Sequence, residues 1–146
     1  MRKALVVGIN HYEHGKPLYG CVDDAHQVKA VLERHGDGTV NFDVRLFTGT
    51  SPTDVVRRAD LKDHIKELFK DDSEIALFYF AGHGHIEATG GYLLASDSAR
   101  GDEGVSLGDV LTYANESKAK NKIILLDSCH SGIAGAVPAS GQVSVI

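Results

Sequence analysis

The stretch Ile75-Ala-Leu-Phe-Tyr-Phe-Ala81, followed at once by Gly82-His83-Gly84-His85, decides how this chain is read. A short run without a single charge, closed by glycines, is the mark of a strand buried on both faces, as in a parallel sheet covered by helices. Lys3–Ile9 (KALVVGI) and Lys122–Asp127 (KIILLD) are likewise apolar apart from charged residues at their ends, and Asp43–Thr48 (DVRLFT) reads as a further strand. Helical periodicity fills the gaps. Val22–His35 carries Val28, Val31 and Leu32 at helical spacing, with Asp23 and Asp24 near its start, where the helix dipole favours carboxylates. Asp54–Lys70 carries Leu61, Ile65, Leu68 and Phe69. Ser106-Leu-Gly-Asp109 resembles a capping box, with Asp in place of Glu, and opens a helix running through Ala119. Gly82, Gly84, Gly90 and Gly91 mark a glycine-rich connection holding a short strand at Tyr92–Ala95. Strands separated by helices predict a three-layer α/β/α sandwich around a mostly parallel sheet.

At 146 residues the chain is expected to form one domain with a sizeable core. An apolar share of 42% and a charged share of 24% exclude a disordered chain. Fifteen basic against twenty acidic residues, a net charge of −5, offer no basic face to nucleic acid or an anionic membrane. No apolar run reaches the roughly 18 residues a membrane span needs. Ala4–Val7 is too short for the apolar part of a signal peptide, and Asn10-His11 soon interrupts it. Two cysteines, Cys21 and Cys129, make no disulfide framework, so the expectation is a cytoplasmic chain with free thiols.

In open parallel sheets, sites lie beyond the carboxyl ends of the strands. Two strands here run into polar clusters at that end. One reaches Gly82-His83-Gly84-His85; the other reaches Asp127-Ser128-Cys129-His130-Ser131-Gly132. A thiolate is a nucleophile, and an imidazole beside it lowers the thiol pKa and later protonates a leaving amine. Glycines around a histidine let backbone N–H groups approach a developing oxyanion. Cys129 lies past the apolar run between Ser and His, where packing gives no reason for it. His85 and His130 are rival bases, and each also reads as a solvated loop histidine. His83, His85, His130 and Cys129 together are a zinc donor set, although no CxxC or HxxxH spacing accompanies them. Cys21 reads as a small buried hydrophobe.

At these residues the sequence resembles the caspase-like cysteine peptidases, most closely the metacaspase and prokaryotic orthocaspase branch. The matching pieces are Ala4-Leu-Val-Val-Gly-Ile-Asn10, Leu18-Tyr-Gly-Cys-Val-Asp-Asp-Ala25, Phe78-Tyr-Phe-Ala-Gly-His-Gly84, Tyr92-Leu-Leu-Ala-Ser-Asp97 and Leu126-Asp-Ser-Cys-His-Ser-Gly132, in the family's order. The resemblance implies a caspase-like fold and hydrolysis of peptide bonds in protein or peptide substrates through a thioester acyl-enzyme, without a cofactor for the chemistry. It implies Cys129 as nucleophile, His83 as its proton-transfer partner, and the backbone N–H groups of Gly84 and Cys129 as oxyanion hole.

The resemblance also bears on specificity. Caspases that cut after Asp have Gln two residues before the nucleophile and an Arg in the loop after the first strand. Here Asp127 takes the first position, and the segment from Asn10 to Gly20 holds Lys16 but no Arg. In metacaspases the matching Asp lines the S1 pocket with the Asp of a Gly-Cys-x-Asn-Asp-Ala segment, which is Asp24 here, with Asp23 replacing the Asn. Two carboxylates attract a guanidinium or ammonium and repel a carboxylate, so cleavage after Arg or Lys is expected, Arg preferred. The blander readings are a helix N-terminal charge for Asp24 and a strand-end turn for Asp127. Many metacaspases need calcium; Asp97, Asp102 and Glu103 lie in the matching interval, but without EF-hand spacing they read first as solvated loop acids and only second as calcium ligands. Family members continue past the nucleophile loop with more of the sheet, and Gly141–Ile146 reads as the start of that next strand. Residues 1–146 are therefore expected to be the large-subunit catalytic part of a longer chain, completed by a C-terminal small-subunit segment. The competing function is a catalytically silent caspase-like adaptor, against which stand the filled Cys and His positions.

Overall fold

The structure is a computed structural model, and it describes residues 1–100, 103–128 and 143–146. Along the chain run β1 (Arg2–Ile9), α1 (Cys21–Glu33), β2 (Asp43–Gly49), α2 (Arg58–Lys70), β3 (Ile75–Gly82), β4 (Gly84–Glu87), β5 (Gly90–Leu93), β6 (Val105–Ser106), α3 (Leu107–Glu116), β7 (Asn121–Ser128) and β8 (Val143–Val145). The apolar runs become the middle of a five-stranded sheet in the order β2-β1-β3-β7-β8, parallel at every pairing. The strand anticipated at the C-terminal end of the sequence is β8.

Side chains alternate across the sheet, and both faces are covered. Ala76, Phe78 and Phe80 pack with Leu61 and Ile65 of α2 and Val110 and Leu111 of α3. Leu77, Tyr79 and Ala81 pack on the other face, with Ala25 of α1. The unbroken apolar character of Ile75–Ala81 follows from this double burial. With α1 on one face and α2 and α3 on the other, the three-layer sandwich is the one expected. The chain passes from β1 to β2 through α1 on one face and from β2 back across to β3 through α2 on the other. The direction of winding therefore reverses between β1 and β3, and in open α/β sheets ligands bind beyond the carboxyl ends at such a switch point.

Close packing of α1 on β1 depends on Gly8. A Cβ there would lie 2.5 Å from the Cys21 carbonyl oxygen and 2.7 Å from the Ala25 Cβ. Gly8→Ala is expected to cost about 1–3 kcal/mol in urea denaturation, the usual penalty of overpacking. Gly36, with nothing within 4 Å of the same added atom, is the comparison. Gly36→Ala should change stability by no more than about 0.5 kcal/mol, and equal effects at the two sites would show that the helix contact is not what selects Gly8.

Three of the departures from the sequence expectation have a local reason. Helix α2 starts at Arg58 rather than Asp54, because residues before it are held in other contacts. The Asp54 carboxylate accepts from the Thr48 and Thr50 hydroxyls at 3.2 and 2.6 Å. Val56 donates its N–H to Ser96 Oγ and accepts from the Ser96 N–H, at 3.0 and 2.8 Å. Helix α3 starts as anticipated, with Ser106 Oγ accepting from the Gly108 and Asp109 amides, but it stops at Glu116 instead of Ala119. There the Ser117 N–H turns back to the Ala114 carbonyl, and Ser117 Oγ accepts from the Ala119 N–H at 3.1 Å. The glycine-rich connection is not a loop: β4 and β5 form an antiparallel hairpin, extended by β6, and the strand expected at Tyr92–Ala95 is centred two residues earlier. Gly90, at φ +128°, makes its turn in a conformation other residues rarely adopt. Among the described residues, no helix is long and apolar enough to cross a membrane.

Candidate active site

Strands β3 and β7 are hydrogen-bonded neighbours, and their register pairs Ala81 with Asp127 and Gly82 with Ser128. The two strands therefore end side by side. His83 follows Gly82 directly; Cys129 follows Ser128 in the chain and lies outside the described residues, as do His130 and Asp102.

His83 is half-buried and held on several sides. Its N–H donates to Tyr12 Oη at 2.8 Å, and its carbonyl accepts from the Leu94 N–H at 3.0 Å. Its ring leans on the Tyr12 ring, centroids 4.6 Å apart and planes at 54°. Nε2 lies 2.7 Å from the Lys16 carbonyl oxygen. A carbonyl only accepts, so that contact puts a proton on Nε2 and leaves Nδ1 as the basic atom of the neutral ring. Tyr12 donates in turn to the Leu94 carbonyl at 3.3 Å.

Tyr12 and Lys16 belong to the loop after β1, which is anchored at both ends. The Asn10 and His11 amides both donate to the Gly49 carbonyl, at 2.8 and 3.0 Å. Asn10 Oδ1 accepts from the Cys21 and Val22 amides at 3.0 and 3.3 Å, satisfying donors that the first turn of α1 leaves open. The loop that orients His83 is thus continuous with the start of the helix that carries Asp24.

The rival His85 points its contacts elsewhere. It lies on β4 opposite Tyr92, and its Nε2 is 3.4 Å from Glu87 Oε2 on the same strand. Gly84, buried, opens β4 opposite Leu93.

The two acids expected to line a pocket lie at one end of one sheet face. Asp127 is exposed, and its Oδ2 accepts from the Tyr79 hydroxyl at 3.0 Å. Asp24 is exposed in the first turn of α1, on the same face. Burial, first, then the hydrogen bond and charge of Asp127, then Asp24 and Cys21, push the Tyr79 phenol far above its ordinary range. Both carboxylates act on one phenol. Cys21 is half-buried against the apolar cluster of this face.

Asp97 and Glu103 already serve backbone amides: Asp97 Oδ1 accepts from the Arg58 N–H at 2.8 Å, and Glu103 Oε2 from the Ala99 N–H at 2.9 Å. Among the described residues, no group of three or more His, Cys, Asp or Glu is placed to hold a metal ion. Sequence reasoning passed over Tyr12, the Lys16 carbonyl and Tyr79. Only Tyr79 left a signal, as the one polar-tipped residue within a run of pure hydrocarbon.

Residues 1–144 match the family model for the caspase domain. This chain belongs to that family. The caspase domain here is 26% identical over 154 residues to metacaspase-1 of Kluyveromyces lactis, covering 90% of this chain and 33% of that protein. It is 28% identical to metacaspase-1 of Saccharomyces cerevisiae and 29% identical to metacaspase-4 of Arabidopsis thaliana, again over 90% of this chain. The chain spans about a third of the length of the curated relatives it matches.

Proposed function

We propose that this caspase domain is the catalytic part of a cysteine endopeptidase, with Cys129 as nucleophile and His83 as proton carrier. The observation that carries the reading is the β3–β7 register, because the paired residues Gly82 and Ser128 are those that precede His83 and Cys129 in the chain. In this mechanism the thiol proton passes to His83 Nδ1, and the thiolate attacks the scissile carbonyl carbon. The Gly84 and Cys129 amides receive the oxyanion. The imidazolium then protonates the departing amine, leaving a thioester; water, deprotonated by the same imidazole, hydrolyses it to the carboxylic acid and the free thiol.

Asp127 and Asp24 favour a cationic side chain at the residue before the cleaved bond, Arg over Lys, because a guanidinium binds carboxylates through paired N–H donors. No cofactor enters these steps. A C-terminal small-subunit segment would extend the sheet beyond β8, the edge strand among the described residues, by pairing another strand with it. A reducing cytoplasm would keep the nucleophile a thiol.

The test is turnover of fluorogenic peptides ending in Arg, Lys or Asp by the full-length protein. Arg is expected fastest, Lys next and Asp slowest. Asp-selective cleavage would overturn the pocket assignment, and no hydrolysis of any peptide would remove the enzyme assignment. Adding calcium to the same assay tests activation through Asp97, Asp102 and Glu103.

A further inference from the structure

We infer that Tyr79 is a specificity-determining positioning residue, whose phenol fixes the Asp127 carboxylate for recognition of a cationic substrate side chain. This rests on the assignment of Asp127 to the S1 pocket. Tyr79 pairs with Leu125 in the register, so Asp127, two residues further along β7, shares its face of the sheet. The hydroxyl donates to Asp127 Oδ2 at 3.0 Å.

The two partners differ in freedom. Tyr79 is 4% exposed and packed in the cluster of Ala4, Val6, Ala25, Leu77 and Ala81, so its ring has nowhere else to go. Asp127 is exposed, and without the phenol it would be a surface carboxylate free to sample rotamers. Binding a guanidinium to such a group requires ordering it first, whereas a carboxylate tethered to a rigid donor is ordered before substrate arrives. Burial, backed by the charges of Asp127 and Asp24, keeps the phenol protonated and therefore always a donor. The bond engages Oδ2 and leaves Oδ1 for a substrate N–H. A hydrogen bond to a charged acceptor is among the stronger kinds.

A buried hydroxyl also needs a partner for purely structural reasons, so the test must separate the two roles. Tyr79→Phe in the full-length protein keeps the ring and removes the oxygen. The readout is the ratio of kcat/KM for a peptide ending in Arg to that for the same peptide ending in citrulline, its neutral isostere. The ratio is expected to fall about tenfold, with the loss in KM, since the pocket contact is made equally before and during reaction. A structural role would slow both peptides alike, and an unchanged ratio overturns the inference. Asp127→Asn runs beside it. If Asp127→Asn retains the preference for Arg, the pocket reading itself fails. If Asp127→Asn abolishes the preference and Tyr79→Phe behaves as wild type, the role of Tyr79 alone fails. Tyr79→Phe added to Asp127→Asn should lower the ratio no further, because both act through one contact.

Discussion

His83→Gln is expected to lower kcat on Arg-ending peptides about 10³-fold, whereas His85→Gln should stay within about threefold of wild type. Both histidines border Gly84, so sequence distance does not separate them; their contacts do. His83 sits where β3 and β7 end together, with Tyr12 beneath its ring and the Lys16 carbonyl fixing which nitrogen carries hydrogen. His85 lies beyond it on β4, engaged with Glu87. Gln at position 83 keeps the backbone bond to Tyr12, so the fold is not the casualty, but an amide cannot accept the thiol proton or return it. The same substitution removes the acceptor of the thiol proton, and alkylation by iodoacetamide should slow at neutral pH. Cys129→Ala sets the floor, with no turnover expected. A larger loss in His85→Gln than in His83→Gln would transfer the base to His85 and refute the present assignment.

Much of this architecture was legible because double burial leaves an unmistakable trace. Ile75–Ala81 and Ala4–Ile9 have no polar side to show, so their place in the middle of a covered parallel sheet can be read directly. Ser106 was legible as a helix start because its hydroxyl does locally what the sequence motif describes. What stayed hidden depends on partners far away in the chain. Asp54 looks like the start of a helix until the Thr48 and Thr50 hydroxyls and Ser96 bind that segment. The β4–β5 hairpin looks like a mere connection in the sequence because its glycines weaken the strand signal that its pairing supplies. At the site, His83 could be nominated from its neighbours in sequence, but its tautomer rests on a backbone carbonyl, which every residue possesses. Tyr79 and Asp127 share a face only because β3 and β7 pair in one register, and register between distant strands is set by tertiary packing.

Gly82→Ala should be the most damaging of the small substitutions, with a fall in kcat of about 10²-fold. An added Cβ at Gly82 would lie 2.5 Å from Tyr12 Oη and 2.8 Å from Phe80 Cζ. Phe80 and Tyr12 are both buried in the cluster of the α2–α3 face, and each contact is too close to stand, so both must shift, Tyr12, the nearer, most. Moving that phenol withdraws the acceptor of the His83 N–H and the surface on which its ring rests. A misplacement of about 1 Å in a proton-transfer group is enough for such a loss, and the overpacking adds about 1–3 kcal/mol of destabilisation. The two effects can be separated with Tyr12→Phe in the Gly82→Ala background. Deleting the oxygen relieves the nearest clash, so part of the stability should return in denaturation experiments. Activity should not return with it, because the His83 N–H still has no acceptor. If Gly82→Ala keeps full kcat, or if the double variant regains it, the hydrogen bond from His83 to Tyr12 does not position the imidazole.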